Sequence, residues 1–337
     1  LDDEGELGSL RIQKSYEAMR KIHIAILVIG LDNGLADEDI RIYNALKERE
    51  IPTIVALNKS DLLSSELLEN KKCQIIDSLK ISSENVILTS VVDSKNIKAL
   101  KEKVAELGSG VKNIRSLLPA SIKPKDIVIL VTPIDSSAPK GRIILPQQQV
   151  LRALLDIHAT SIVCQVDELE ETINNLEGKI SYVITDSQAF KRVNEIVADK
   201  IPLTSFSILM AKYKGDFEWQ LKGSSALDEI GDGDKVLIAE GCVHHRQCED
   251  IGTVKLPNWI RKKCGEGVVF DFLSGTEFKS EDELKAYKLV VQCGGCMLNE
   301  KEIKYRVECC KKADVPITNY GMAIAKLNGI LDVVMKY

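Results

Sequence analysis

The sequence predicts an α/β protein of three domains built on parallel sheets. The prediction rests on the 337-residue length, on short continuous aliphatic runs that alternate with segments of helical period, and on turn signals between them. Such a length exceeds twice that of a usual compact domain, so separately cored units are expected. Hydrophobic residues make up 45% and charged residues 28%, a mixture that buries cores and excludes a disordered or collagenous chain. Apolar runs such as Ile24 to Ile29 are strand-sized, far short of a bilayer span, and no membrane association is expected. The net charge of −5 disfavours a broad phosphate-binding surface, so nucleic acid is not expected as a partner. Nine cysteines, an odd number with close neighbours in so long a chain, suit reduced thiols or metal ligands and hence a cytoplasmic protein. The first residue is Leu1 and no signal peptide follows, so the sequence is expected to begin downstream of its native start.

The elements divide into three blocks. In the first, spanning 1–112, strands are predicted at Ile24 to Ile29, Thr53 to Leu57 and Val86 to Leu88. Helical spacing occupies Asp37 to Arg49, Ser64 to Leu79 and Asn96 to Leu107. The stretch Gly108 to Lys125 has no sustained period and reads as a linker. The second block, 118–204, alternates Ile127 to Thr132, Gln147 to Leu155, Ser161 to Val166, Leu169 to Leu176, Ile180 to Thr185 and Ala189 to Val197, with Asp186 or Ser187 expected to cap the last helix. The third, 205–337, has strands at Val236 to Ala239, Val268 to Phe272 and Lys288 to Val291, and helices at Glu300 to Lys312 and Met322 to Leu331. No internal repeat is apparent in the sequence, which excludes a solenoid.

Asn58-Lys59-Ser60-Asp61 follows an aliphatic strand, in the loop position where open α/β sheets bind ligands. The Asp61 carboxylate can accept two hydrogen bonds from guanine N1–H and the exocyclic amine, a donor pair that adenine lacks. Asn58 can reach the base or tie the loop, and the Lys59 stem can lie over the purine face. Without companions the same tetrapeptide would be a polar strand-to-helix turn. Two companions are present. Leu1 to Gly8 resembles the segment after the γ-phosphate-sensing glycine of translation-factor-like GTPases, and Thr89-Ser90-Val91 follows the next strand, where such proteins contact the guanine carbonyl through backbone. The phosphate-binding sequence G-x-x-x-x-G-K-[ST] does not occur in this numbering.

Cys242 follows one predicted strand and Cys293-Gly294-Gly295-Cys296 another. If both strands are parallel in one sheet, their carboxyl ends share an edge and the three thiolates can converge. The glycines permit a tight turn and let N–H groups approach sulfur, an arrangement that tunes iron–sulfur clusters. A fourth donor can come from His244, His245, Cys248 or Glu249. A weak oxygen or nitrogen donor would leave one iron exchangeable, which favours Glu249 or His244. Zinc held by the same groups is the rival, and a turn with incidental thiols is the bland alternative. Cys73, Cys164 and Cys264 read as apolar fillers or surface thiols, and Cys309 and Cys310 point apart along a helix.

Together, Leu1 to Gly8, Asn58 to Asp61, Cys242-x-His244 and Cys293-x-x-Cys296 make the chain resemble the HydF family of [FeFe]-hydrogenase maturation GTPases. The family's second histidine position holds Gln292 here. The resemblance implies a partial P-loop GTPase-like domain over 1–112, a central α/β dimerisation domain over 118–204 and a C-terminal α/β [4Fe-4S] cluster domain over 205–337. It implies GTP and Mg²⁺ bound in the complete protein, with Asn58, Lys59, Asp61 and Ser90 at the nucleotide. It implies a cluster on Cys242, Cys293 and Cys296 with Glu249 or His244. A homodimer is implied, acting as scaffold and carrier that takes a diiron precursor from two radical-SAM maturases to apo-[FeFe]-hydrogenase. A regulatory GTPase with a zinc-stabilised interaction domain is the alternative, and an iron–sulfur enzyme acting on a small substrate is a third class.

Overall fold

The computed structural model describes residues 18–19, 22–110, 115–134, 143–198, 200–241, 250–275 and 277–335. It comprises two compact units, residues 1–114 and 115–337. Among the described residues no helix is long and apolar enough to cross a membrane.

The first unit runs β1 (Ala25–Gly30), α1 (Asp37–Glu48), β2 (Thr53–Asn58), α2 (Ser65–Leu79), β3 (Val86–Leu88) and α3 (Ile97–Gly110). Its sheet is parallel, in the order β1-β2-β3. β2 is central because its aliphatic run is buried on both faces. Val55 and Leu57 meet Leu27 and Ile29 of β1 and Leu68, Ile75 and Leu79 of α2. Asp37, Glu38 and Asp39 open α1 and Lys47 closes it, as the helix dipole favours. The Asp39 carboxylate also accepts the Ala36 amide at 3.0 Å.

The second unit begins inside the stretch expected to be a linker. Leu118 and Ile122 are buried against Val128, Leu130 and Phe206, so this segment is core: its apolar residues are too widely spaced to register as a period. There follow β4 (Ile127–Val131), α4 (Leu145–Asp156), β5 (Thr160–Cys164), α5 (Leu169–Asn175), β6 (Tyr182–Thr185), α6 (Phe190–Val197), β7 (Leu203–Ser205), α7 (Phe206–Lys214) and α8 (Phe217–Ser224). Then come β8 (Lys235–Ala239), α9 (Leu256–Cys264) after a π-helical turn at Ile251–Lys255, β9 (Val269–Leu273), α10 (Glu281–Leu284), β10 (Leu289–Gln292), α11 (Glu300–Lys312), β11 (Ile317–Asn319), α12 (Tyr320–Leu327) and α13 (Leu331–Met335). The helix expected over Met322 to Leu331 is broken after Leu327, because Gly329 adopts φ +71°. Asp186 stands at the N-cap position of a 3₁₀ turn, Ser187–Ala189, but its side chain makes no capping hydrogen bond there, and Ala189 is the N-cap of α6. The Asp186 carboxylate instead accepts from Gln147 at 2.8 Å, and Ser187 Oγ lies 3.1 Å from Ser205 Oγ.

The two sheets of this unit repeat one topology. Their orders are β5-β4-β6-β7 and β9-β8-β10-β11 with every pair parallel. The registers equate Val183 with Val290 and Thr185 with Gln292. The last strand and helix of each half read Pro202-Leu203-Thr204-Ser205-Phe206 and Pro316-Ile317-Thr318-Asn319-Tyr320. Ser205 caps α7 by accepting the Ile208 amide, and Asn319 caps α12 by accepting that of Met322. One topology is therefore repeated although no repeat is apparent from periodicity in the sequence: Pro202 and Thr204 recur as Pro316 and Thr318, and the neighbouring positions keep buried apolar character and a capping residue. Alternate β4 and β8 residues, Ile129 and Val131 with Val236 and Ile238, enter one common core, together with Phe190 and Met322. The opposite faces build separate cores. α7 is buried nearly all round, supplying Ile208 and Ala211 to the common core and Phe206 and Leu209 to the outer one.

Candidate functional site

In the first unit Asn58 ends β2 and Ser90 follows β3, and the parallel register brings both to one sheet edge. Ser90, fully buried, donates its hydroxyl to Asp61 Oδ1 at 2.6 Å. Its amide donates to the Lys95 carbonyl at 3.3 Å, so the backbone donor at Ser90 is engaged within its own loop. Thr89 Oγ1 lies 3.4 Å from Asn58 Oδ1, and the Ser60 amide donates to the Thr89 carbonyl at 3.1 Å. Lys59 takes the left-handed conformation, φ +64°. Its ammonium pairs with Asp32, which follows β1, and this bond holds the Asp32 carboxyl below the usual carboxylate range. Asn58, Lys59, Asp61 and Ser90 therefore form one polar rim, with the Asp61 carboxylate exposed at it. Leu1 to Gly8 lie outside the described residues.

In the second unit β8 and β10 are parallel neighbours with Ala239 opposite Gln292, so the chain leaves both strands at the same edge. Cys293 continues the ladder by donating its amide to the Ala239 carbonyl at 2.9 Å. Its sulfur accepts the Gly241 amide at 3.1 Å and the Gly295 amide at 3.4 Å. Gly295 sits at φ +63°, a conformation that aims its N–H back at the sulfur and that a side chain would strain. Burial pushes the Cys293 thiol up; the two amides and the Arg306 guanidinium act in the opposite direction. Cys242, His244, His245, Cys248 and Glu249 lie outside the described residues. Among the described residues no cluster of three or more metal-ligating side chains forms. The donor set that is described, a sulfur held by two amides on a tight turn beginning one residue beyond a strand, suits a thiolate ligand of an iron–sulfur group.

Groups that sequence reasoning passed over surround this turn. Lys214, 8% exposed, is the last residue of α7 and donates to the carbonyls of Gly295 (3.1 Å), Cys296 (3.0 Å) and Leu298 (2.8 Å). Burial depresses its ammonium, while charge on Cys296 and Cys293 would raise it. Arg306, fully buried on α11, pairs with Glu302 at 3.4 Å and donates to the Gly275 carbonyl at 2.6 Å. Buried Glu240, which directly follows β8, accepts the Tyr320 hydroxyl at 3.2 Å. Burial, then the neighbouring Glu240, Cys293 and Asp250 charges, hold that phenol far above its ordinary value. Lys214 carries no sequence signal, lying in an ordinary apolar helix. Glu240 could have been noticed as an acid directly after the apolar run Val236 to Ala239. The other thiols take no part in the turn: Cys309 and Cys310 lie in the core with Leu237, Ala239 and Val290, where burial pushes Cys310 far up, Cys164 is buried and Cys73 is exposed.

Comparison with known proteins joins these halves. Residues 117–215 match the Hydrogen maturase F dimerization domain, and residues 218–337 match the Hydrogen maturase F tetramerization domain. The chain belongs to the hydrogen maturase F family. Membership connects it to hydrogenase maturation. The chain is also similar to GTPases: 27% identical over 127 residues to the tRNA modification GTPase MnmE of Clostridioides difficile (strain 630), and 29% over 105 residues to GTPase Era of Caldicellulosiruptor saccharolyticus. These stretches cover 37% and 31% of this chain and 26% and 34% of those relatives, so the chain spans only about a quarter to a third of their lengths. Similarity of 27% over 94 residues extends to GTPase Der of Sulfurihydrogenibium sp. (strain YO3AOP1), matching 28% of this chain and 21% of that relative. All three of these relatives are GTPases.

Proposed function

We propose that this protein is a GTP-binding and GTP-hydrolysing scaffold of [FeFe]-hydrogenase maturation, a cytoplasmic oligomer built on a homodimer. It would receive a diiron precursor made with two radical-SAM maturases and deliver it to apo-[FeFe]-hydrogenase. Cys242, Cys293 and Cys296, with Glu249 or His244 as a weak fourth donor, would hold a [4Fe-4S] cluster. When bound, that cluster supplies an iron whose fourth ligand a bridging group of the precursor can displace. The chain's own contribution is to hold the Cys293 sulfur between two amides at the edge shared by β8 and β10. That placement is the observation carrying the proposal. Asp61, oriented by Ser90, would read guanine, while Mg²⁺ and the phosphates would be held by parts outside Asn58 to Ser90. GTP hydrolysis would act as a switch on partner exchange.

Anaerobic reconstitution with iron and sulfide, followed by electron paramagnetic resonance of the reduced protein, tests the proposal. A wild type that retains no cubane would sink it. The matched segment named for tetramerization supports a second reading, a regulatory GTPase whose zinc-stabilised C-terminal half is purely an interaction module. Stoichiometric zinc that resists replacement by iron would select that reading.

A further inference from the structure

We infer that Lys214 is the positioning residue of the cysteine turn, gathering its backbone around one buried ammonium and supplying the counter-charge to the anionic group that Cys293 and Cys296 receive. The inference rests on the iron–sulfur reading above and deepens it.

Lysine is rarely buried to this degree without an acidic partner, because an ammonium removed from water loses solvation that neutral acceptors replace only in part. Lys214 is 8% exposed, and its three donors are spent on three carbonyls. Among the described residues it has no carboxylate partner. The nearby charged groups are already occupied: Arg306 pairs with Glu302, and Asp216 with Lys311 at 2.8 Å. The groups whose charge acts favourably on Lys214 are Cys296 and Cys293. A cation kept dry beside two thiols is unfavourable until those thiols become thiolates, and metal loading makes them so.

The same three bonds fix geometry. They bind the carbonyls of Gly295, Cys296 and Leu298 to a single nitrogen and so hold Gly295 in the conformation that turns its amide toward Cys293 Sγ. The charge arrives from outside the half that carries the cysteines. α7 belongs to the segment matching the dimerization domain, and the turn to the segment matching the tetramerization domain.

A strut that acted through hydrogen bonds alone would not need the charge, and Lys214→Gln separates the two roles by keeping two N–H donors while losing the positive charge. In the full chain, reconstituted anaerobically, K214Q is expected to fold and hold the cubane. Its reduced state should be disfavoured at least tenfold at a fixed poise, a potential about 59 mV lower for a one-electron couple, as read by redox titration followed by electron paramagnetic resonance. Lys214→Met, lacking donors as well, should also lose iron to a chelator faster than wild type. Wild-type potential and iron retention in both variants overturn the inference. Pulsed resonance on reduced wild type grown with ¹⁵N-lysine guards against misfolding of the variants. A coupling from one close nitrogen is expected and should persist in Lys212→Gln; no such coupling overturns the inference, however the variants behave. If wild type itself takes up no cubane, the functional reading fails and this inference falls with it; if wild type loads and only the Lys214 results are negative, the inference alone fails.

Discussion

Gly241 offers a direct probe of the cysteine site, since it is the last described residue before the segment bearing Cys242 and its amide donates to Cys293 Sγ at 3.1 Å. A methyl group built on Gly241 would lie 2.6 Å from Cγ and 2.8 Å from Cδ1 of Leu298. Ordinary contact begins near 3.4 Å, so Leu298 or the Gly241 backbone must yield by roughly 0.8 Å. Leu298 is 4% exposed, its amide is tied to Gly295 at 3.1 Å and its carbonyl to Lys214 at 2.8 Å. The displacement therefore passes into the turn. Overpacking of this kind costs about 1–3 kcal/mol, and for a unit of this size each kcal/mol lowers the melting temperature by about 2–4 °C. Gly241→Ala is thus expected to melt about 2–12 °C below wild type in the metal-free state, and to retain less iron and sulfide after reconstitution. Gly231→Ala is the control, because nothing lies within 4 Å of its added methyl, and it should match wild type in both assays. A Gly241→Ala protein with unchanged melting and a full complement of iron would refute the close approach on which the geometry depends.

Cys293→Ser should abolish cluster retention while leaving nucleotide binding by the complete protein intact; equal loss of both would point to misfolding. Asp61→Asn exchanges the acceptor oxygens that the proposed function assigns to guanine for a half-donor amide and should weaken GTP binding about 10–100-fold, on the scale of about 1.5–3 kcal/mol for a hydrogen bond to a charged group, as read by calorimetric titration of the full-length protein. Phe190→Ala empties a fully buried site in the common core and should cost about 3–5 kcal/mol; hydrogen exchange should show β4 and β8 losing protection together, and loss confined to β4 would contradict a shared core. Tyr287, whose hydroxyl donates to Asp271 at 2.8 Å, has its phenol pushed up to about 12, with burial the main cause and Asp271 second. Because the unfolded phenol ionises near pH 10, its contribution to stability is complete below that pH and is lost as pH rises towards about 12. Tyr287→Phe should lose less stability than wild type over that interval, in urea titrations at stepped pH.

What the sequence disclosed and what it withheld divide along physical lines. Strands buried on both faces, such as Thr53–Asn58 and Leu289–Gln292, are legible because helix-covered parallel sheets demand unbroken aliphatic runs. The guanine-type tetrapeptide and the C-x-x-C are legible because their chemistry requires particular side chains at fixed spacing. Lys214 is illegible, because a lysine closing a helix is ordinarily a solvated one and only the tertiary path of the 293–298 turn encloses it. The repeated topology is hard to read for a related cause. Leu203 and Ile317, or Ser205 and Asn319, need only be apolar or able to cap, so their identities drift while their roles persist. The segment at Leu118 and Ile122 misleads because packing against β4, rather than any periodicity, orders it.

The interior shared by the two halves also bears on how this protein can be dissected. A cut at the seam between residues 215 and 218, where the two family matches divide, would strip Val236 and Ile238 from Ile129 and Val131 and part Asn319 from Ser207, to which it donates at 2.8 Å. Each fragment would present a raw aliphatic wall to solvent, and the cysteine-bearing piece would leave its buried cation behind. Truncation mapping across that seam would record the collapse of a single body, and a deletion phenotype obtained there assigns no task to either part.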